Sequence, residues 1–281
     1  MNSFRMKALS LAVLSLAGLG MAGSAFADCP VADATKGVTH SPGGGGAWTS
    51  QFIANDASLV IHTPGLNGTN CSLAISLGAA SNSRAAVQDN SPTAEQRYRG
   101  RFYIDLNNLI TSPNGFGASN RTAVIFRIND ATGPGAFTSD QLGIRIAGGA
   151  TPTFRFLLSD SNSAGTGVTQ VAQAFPASAN NVYRVEFDLQ IGTGATNTVN
   201  GCTTMPAAGN GCFRYWVTDA AATTTDAAPT GSATINNSGW SGAETVFLGL
   251  QAGTPGIRAS NAGIVIYEDE FDSRRQTFIG K

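Results

Sequence analysis

The sequence predicts an all-β protein built as two antiparallel sheets packed face to face. Three observations carry that prediction. Oily residues recur at every second position in stretch after stretch, and no stretch beyond the leader has a helical period of 3.6. Turn-forming residues are plentiful, with 34 Gly and 11 Pro among 281 residues. Charged residues make up only 12% of the chain, so small polar residues cover much of its surface, as suits a turn-rich β-protein.

Residues 1–27 are expected to be an export signal. Arg5 and Lys7 open it, Ala8 to Ala22 is a mostly apolar run, and Ala25-Phe26-Ala27 fits small-residue cleavage before Asp28. That run is too short to span a membrane and no second one follows, so no transmembrane segment is expected in the mature chain. Residues 28–46 form a polar lead-in ending in SPGGGG. Residues 47–281 are then one domain, long enough to bury a core unaided. The expected address is extracellular or periplasmic.

Within that domain AWTSQFIA, SLVIHT and CSLAISL are short strands, and Gly78 to Ala94 is expected to be a polar loop. Clear alternation follows. Tyr98, Phe102, Ile104 and Leu106 face one way, and Arg99, Arg101, Tyr103 and Asp105 the other. Val124, Phe126 and Ile128 oppose Arg121, Arg127 and Asn129; Leu142, Ile144 and Ile146 oppose Arg145; Phe154, Phe156 and Leu158 oppose Arg155. Tyr183, Val185, Phe187, Leu189 and Ile191 turn inward against Arg184, Glu186, Asp188 and Gln190. Phe213, Tyr215 and Val217 oppose Arg214 and Trp216. The stretch from Asp219 to Gly239 reads as a long surface loop, and Val246, Leu248 and Leu250 make a further core row. The C-terminal stretch Asn261–Lys281 is a β-branched run that must pair inside a sheet.

Charge and cysteines narrow the class. The chain carries 17 basic and 18 acidic residues, and loss of the leader removes two of the bases. A nucleic-acid binder would need a basic excess, so nucleic acid is not an expected partner. The four cysteines, Cys29, Cys71, Cys202 and Cys212, all lie in the exported part and are expected to form disulfides. Three pairings are open; Cys29 with Cys71 and Cys202 with Cys212 are nearest in sequence. A metal site would need paired CxxC spacing, which is missing.

The order YRGRFYIDL, a hydrophobic hairpin series, YRVEFDLQ, VFLGLQAG and a terminal GIVIYEDEFDSRR resembles the concanavalin A-like lectin/glucanase superfamily, especially secreted bacterial members ending in a Y-x-D-E-F-type strand. The resemblance spans about Trp48 to Ile279. It implies a jelly roll, and a function drawn from lectins, laminin-G-like modules, glycosidases and polysaccharide lyases.

Three sets of residues could carry chemistry. The first, Glu186-Phe187-Asp188-Leu189-Gln190, resembles the E-x-D-x-E strand of laminarinase-like glucanases, with Gln190 where the third acid belongs. An amide cannot serve as the acid catalyst, so cross-strand pairing with outward arginines is the preferred reading. The second, Glu268, Glu270 and Asp272, stands at i, i+2 and i+4, which would place three acids on one face. Such a trio suits acid catalysis or a hard cation such as Ca²⁺; neutralisation by arginine is preferred, and no cofactor is expected. The third is the arginines Arg101, Arg127, Arg145, Arg155, Arg184 and Arg214, interleaved with Tyr103 and Trp216. On neighbouring strands they would form one wet guanidinium patch for an extracellular glycan, with the aromatic planes stacking on sugar rings. The expectation is non-catalytic glycan binding. The competing readings are an adhesive matrix protein and a polysaccharide lyase or glycoside hydrolase.

Overall fold

The computed structural model describes residues 48, 50–69, 71–90, 92, 95–112, 116, 121–129, 140–159, 168–190, 210–223, 225–226, 228–237, 240, 242–254, 257–258, 264–274 and 279. The expected leader and lead-in lie outside them. No helix among them is long and apolar enough to cross a membrane.

Two seven-stranded antiparallel sheets make the expected sandwich. Sheet I runs in the order β1 (Ser50–Ala54), β4 (Arg84–Asp89), β13 (Thr245–Gly253), β6 (Thr122–Asn129), β7 (Asp140–Ala147), β8 (Thr153–Ser159), β9 (Val168–Ala174). Sheet II runs β12 (Gly231–Asn236), β11 (Asn210–Asp219), β10 (Val182–Gln190), β5 (Arg97–Asp105), β14 (Val265–Arg274), β3 (Ser72–Ser76), β2 (Ser58–His62). The helix α1 (Asn107–Ile110) is a single turn.

The alternating rows bury as their period requires, except in β6, where a bulge turns Ile125 to the core beside Phe126 and sets Val124 opposite Arg145 instead of inward. Phe102, Ile104, Val185, Phe187 and Phe213 from sheet II meet Phe126, Ile144, Phe154, Phe156 and Val246 from sheet I, all fully buried. Each such side chain contributes roughly 1.5–3 kcal/mol by leaving water. Phe156 stacks on Tyr215 at 4.4 Å and Phe126 packs on Phe187 at 4.8 Å, joining the two layers. Gly100 stands opposite Phe187 in register, and a Cβ there would lie 2.6 Å from the Phe187 ring. Glycine at this point lets the ring cross the strand that carries Arg99 and Arg101.

The terminal strand pairs as expected, set between β3 and β5. Three strands depart from expectation. β4 forms within the predicted loop 78–94, β12 within the predicted loop 219–239, and β9 was not foreseen. These segments, RAAVQD, GSATIN and VTQVAQA, are rich in Ala, Ser, Thr and Gln, hold no aromatic residue and lack a row of large apolar side chains. Pairing with a neighbour, not intrinsic preference, makes them strands.

Candidate functional site

Because Tyr98, Phe102 and Ile104 face the core, Arg99, Arg101 and Tyr103 lie on the outer face of sheet II. Register builds a lattice across that face. Asp188 stands between Arg99 and Arg214, Glu186 between Arg101 and Trp216, and Arg184 between Tyr103 and Thr218. Arg97 grips Asp188 through two hydrogen bonds, Nε to Oδ1 at 2.9 Å and Nη2 to Oδ2 at 2.8 Å. Arg214 Nη2 donates to the same Oδ2 at 2.6 Å. Arg99 Nη2 donates to Glu186 Oε1 at 3.3 Å and to Asp226 Oδ1 at 3.0 Å. The backbone N–H of Ile279 donates to Glu186 Oε1 at 2.9 Å. The guanidinium groups of Arg99 and Arg214 both lie against Trp216, 5.0 and 5.1 Å from its ring. Its indole N–H donates to the Thr225 carbonyl at 3.1 Å.

The face is therefore not the wet surface expected. Tyr103, Arg184, Arg214 and Trp216 are all at most 1% exposed. Trp216, 1% exposed and with two cations at its ring, is no open platform for a sugar ring. Burial would raise the Asp188 carboxyl, but the hydrogen bonds from Arg97 and Arg214 hold it below the usual carboxylate range. Burial raises the Tyr103 phenol, with Arg101 opposing. Solvent reaches the lattice at its rim: the side chain of Arg97 keeps 23% exposure, Arg101 12% and Glu270 16%. Arg101 lies 5.3 Å from the Tyr103 ring, with Nη2 3.7 Å from Glu270 Oε2.

The expected single patch of six arginines is also divided. Arg101, Arg184 and Arg214 belong to sheet II, whereas Arg127, Arg145 and Arg155 lie on the outer face of sheet I, across the whole sandwich. There Arg127 Nε contacts Asp140 Oδ2 at 3.1 Å. Burial pushes Asp140 up to about 7, with Arg127 and Arg145 pulling the other way. Burial depresses the Arg127 and Arg145 guanidinium groups; nearby positive charge deepens this, from Arg84 at Arg127 and from Arg127 and Arg155 at Arg145. Arg145 and Arg155 face each other directly in register.

The C-terminal acids need a third correction. Glu268 pairs with Leu73 and Ile104, both core residues, and points into the sandwich. A bulge between Asp269 and Asp272, with Glu270 at φ 48°, then shifts the alternation. Asp272 faces Arg101 in register and Phe271 packs on Trp48 at 4.8 Å. The trio expected for a cation or for catalysis does not assemble, and among the described residues no group of three or more His, Cys, Asp or Glu could hold a metal. Glu268 is fully buried beside a cavity of about 30 Å³ lined by Trp48, Ile61, Leu248 and Phe271. Neither of its carboxyl oxygens has a hydrogen-bond partner among the described residues, and burial pushes its pKa well above the usual carboxylate range. Asp269 is committed elsewhere, accepting from Leu66 N at 2.6 Å and from Thr69 Oγ1.

Cys71 and Cys212 are both disulfide-bonded. Cys29 and Cys202 lie outside the described residues, so the pairing stays an expectation. Two members of the lattice escaped sequence reasoning. Arg97 sits one residue before the strand core began to alternate, and Asp226 lies in a stretch with no apolar pattern. The outward period of β5, extended back by one residue, is the signal that reaches Arg97.

No family model matches the chain, and no curated protein matches it in sequence. Solved structures do. An endo-β-1,4-glucuronan lyase from the fungus Trichoderma reesei matches with a TM-score of 0.51 at 12% identity, over 86% of this chain and 96% of that one. An alginate lyase from a Chlorella virus matches at 0.42 and 9% identity, over 82% and 93% of the two chains. A legume lectin-like domain from Entamoeba histolytica matches at 0.42 and 7% identity, over 79% and 90%. At these identities the likeness is one of fold.

Proposed function

The chain has the concanavalin A-like jelly-roll fold, and from that premise we propose that it is an exported, non-catalytic binding protein for acidic extracellular glycan. The ligand would meet the solvent-reached rim of the sheet II lattice, at Arg97 and Arg101. One observation carries this reading: five arginines and three acids are ordered on the outer face of one sheet. A buried ion network is seldom more stabilising than apolar packing of the same volume, so a fold under selection for stability alone has no use for it. Such a lattice does hold guanidinium forks in fixed directions, which lowers the ordering cost of gripping a carboxylate or sulfate. Between residues 37 and 280 the chain has no lysine, so every side-chain cation there apart from histidine is the planar, bidentate kind.

The carboxylates also speak for binding. Glycoside hydrolysis needs two carboxyl groups facing one cleft, one of them a proton donor. Asp188 is held ionised between arginines, and Glu268 lies on the opposite side of the sheet from Glu270. A raised Tyr103 phenol is a poor base.

Retention of the full mature chain on immobilised polyuronate, compared with neutral glucan, tests the proposal. Arg101→Gln is expected to weaken retention about tenfold, the loss of one charge-assisted hydrogen-bonding group. No retention by the wild type, or an unchanged Arg101→Gln variant, would falsify it. Release of unsaturated or reducing sugars would overturn its non-catalytic part.

A further inference from the structure

β14 parts from its neighbours at one place. Its register with β3 ends at Glu268, opposite Leu73, and its register with β5 is broken between Asp269 and Asp272. A cavity of about 30 Å³ lies there, lined by Leu73 and Glu268 of sheet II and Leu248 of sheet I, with Trp48, Ile61 and Phe271 completing an apolar wall. Roughly 10–15 Å³ of such room admits one water-sized group, so the cavity takes about two. Ile61 and Phe271 are only half-buried, which leaves the rest of a larger molecule a way out to solvent.

Asp269 and Glu270 line the cavity beside Glu268, and among the described residues no lysine, arginine or histidine does. Asp269 accepts from the Leu66 N–H and from Thr69 Oγ1, and Glu270 Oε2 lies 3.7 Å from Arg101 Nη2. Glu268 has no such partner. Both its oxygens are buried and unbonded among the described residues, and the residues facing it in register are Leu73 and Ile104. Burial alone raises its pKa, with no neighbouring charge acting on it. An unpaired carboxyl in an apolar wall costs stability that a leucine in its place would not, and such a group beside a cavity points to binding.

The walls select the ligand. Ca²⁺ takes about six to eight oxygen ligands, and among the described residues no group of three or more His, Cys, Asp or Glu could hold a metal. A neutral hydroxyl would bring a hydrogen bond but no counter-charge. A primary ammonium brings both, with N–H donors for the carboxyl oxygens and a positive charge that the ring faces of Trp48 and Phe271, 4.8 Å apart, attract.

We propose that this cavity is an organic-cation site, which takes the ammonium head and adjoining carbon of a small primary amine against the Glu268 carboxylate. The site lies within the sandwich, apart from the arginine rim, and does not depend on the glycan reading. As the ammonium enters, one proton leaves Glu268 for solvent and a carboxylate–ammonium pair remains. Binding therefore tightens as pH rises, until the amine itself loses its proton near about pH 10.

The full mature chain, labelled with ¹³C at its glutamate carboxyls, is titrated with ethylammonium chloride at about pH 6 and about pH 8, on either side of neutrality. The Glu268 carboxyl resonance is expected to move saturably to its ionised position, with tighter binding at the higher pH. Glu268→Gln, of the same shape without the charge, is expected to weaken ethylammonium binding about tenfold or more, read from the rise in thermal unfolding temperature. Leu248→Phe, which fills the cavity and keeps Glu268, is expected to lose the response; should it fail to fold, the wild type and Glu268→Gln decide. No saturable shift of Glu268, equal affinity at the two pH values, or undiminished binding by Glu268→Gln overturns the site. An equal response to ethanol or to potassium chloride overturns its assignment to an organic cation. Glucosamine separates the sources of the ammonium: binding as tight as that of ethylammonium supports an amino sugar, and binding of ethylammonium alone supports a small free amine.

Discussion

The two outer faces of this sandwich use the same residue type in opposite ways. On sheet II the arginines alternate with acids along register rows, so that Asp188 holds Arg97 and Arg214 while Glu186 and Asp226 hold Arg99. On sheet I Arg127 and Arg145 act on Asp140, while Arg84 acts on Arg127 and Arg155 on Arg145. The first face is a closed lattice in which each charge is answered. The second sets like charges opposite one another, Arg145 facing Arg155 in register. Whether paired strands place opposite or like charges in register, more than the number of arginines, separates the two faces.

The largest effect expected from breaking this contrast is at Asp188. Asp188→Ala removes the acid shared by Arg97 and Arg214 and leaves the buried Arg214 with Asp226 at 3.4 Å. A loss on the order of 3–5 kcal/mol is expected in urea unfolding. The corresponding change on sheet I, Arg155→Gln, removes one of two facing like charges and should raise stability by roughly 0.2–1 kcal/mol. Opposite signs for two charge deletions on the two faces would sharpen the comparison; the same sign would break it.

pH separates the faces as well. Asp140 has a folded pKa raised from 3.8 to about 7. Its stabilising contribution is therefore complete below about 4 and is lost as pH rises toward 7. Asp188 is depressed, so its contribution is present above 3.8 and is lost as pH falls through its folded value. Asp140→Asn is expected to flatten the stability slope between pH 4 and 7 while leaving the acid limb unchanged, as read from urea midpoints across pH. Glu268, also raised by burial, adds a slope of the same sign as Asp140, and Glu268→Gln should remove that share. A smaller effect is expected from Trp216→Phe, which deletes the hydrogen bond to the Thr225 carbonyl and should cost about 1 kcal/mol.

Much of this was written in the period of the chain. Tyr98 to Leu106 and Tyr183 to Ile191 alternate so regularly that their inner rows, and the outward direction of Arg99, Arg101, Arg184 and Glu186, follow from counting residues. Strand order does not follow, because register across a sheet is set by tertiary pairing. For that reason six outward arginines could be predicted but not their division between two sheets. Local alternation also cannot foresee a bulge. Glu270 at positive φ shifts the strand by one step after Glu268, which stays inward in step with Ile266 while Asp272 faces Arg101, and the expected acid trio is dissolved. Nor does it show what lies over a face. Ile279 and Asp226, which close on Glu186 and Arg99, come from segments with no apolar period.

The central claim is that the rim of the sheet II lattice receives an acidic sugar. Arginine Nε–Hε resonances of the labelled full mature chain, followed while an oligouronate is added, test it most directly. The account predicts saturable shifts at Arg97 and Arg101, with Arg184 and Arg214 unmoved inside the lattice. Saturable binding that leaves Arg97 and Arg101 unshifted, or no binding at millimolar oligouronate, would contradict it.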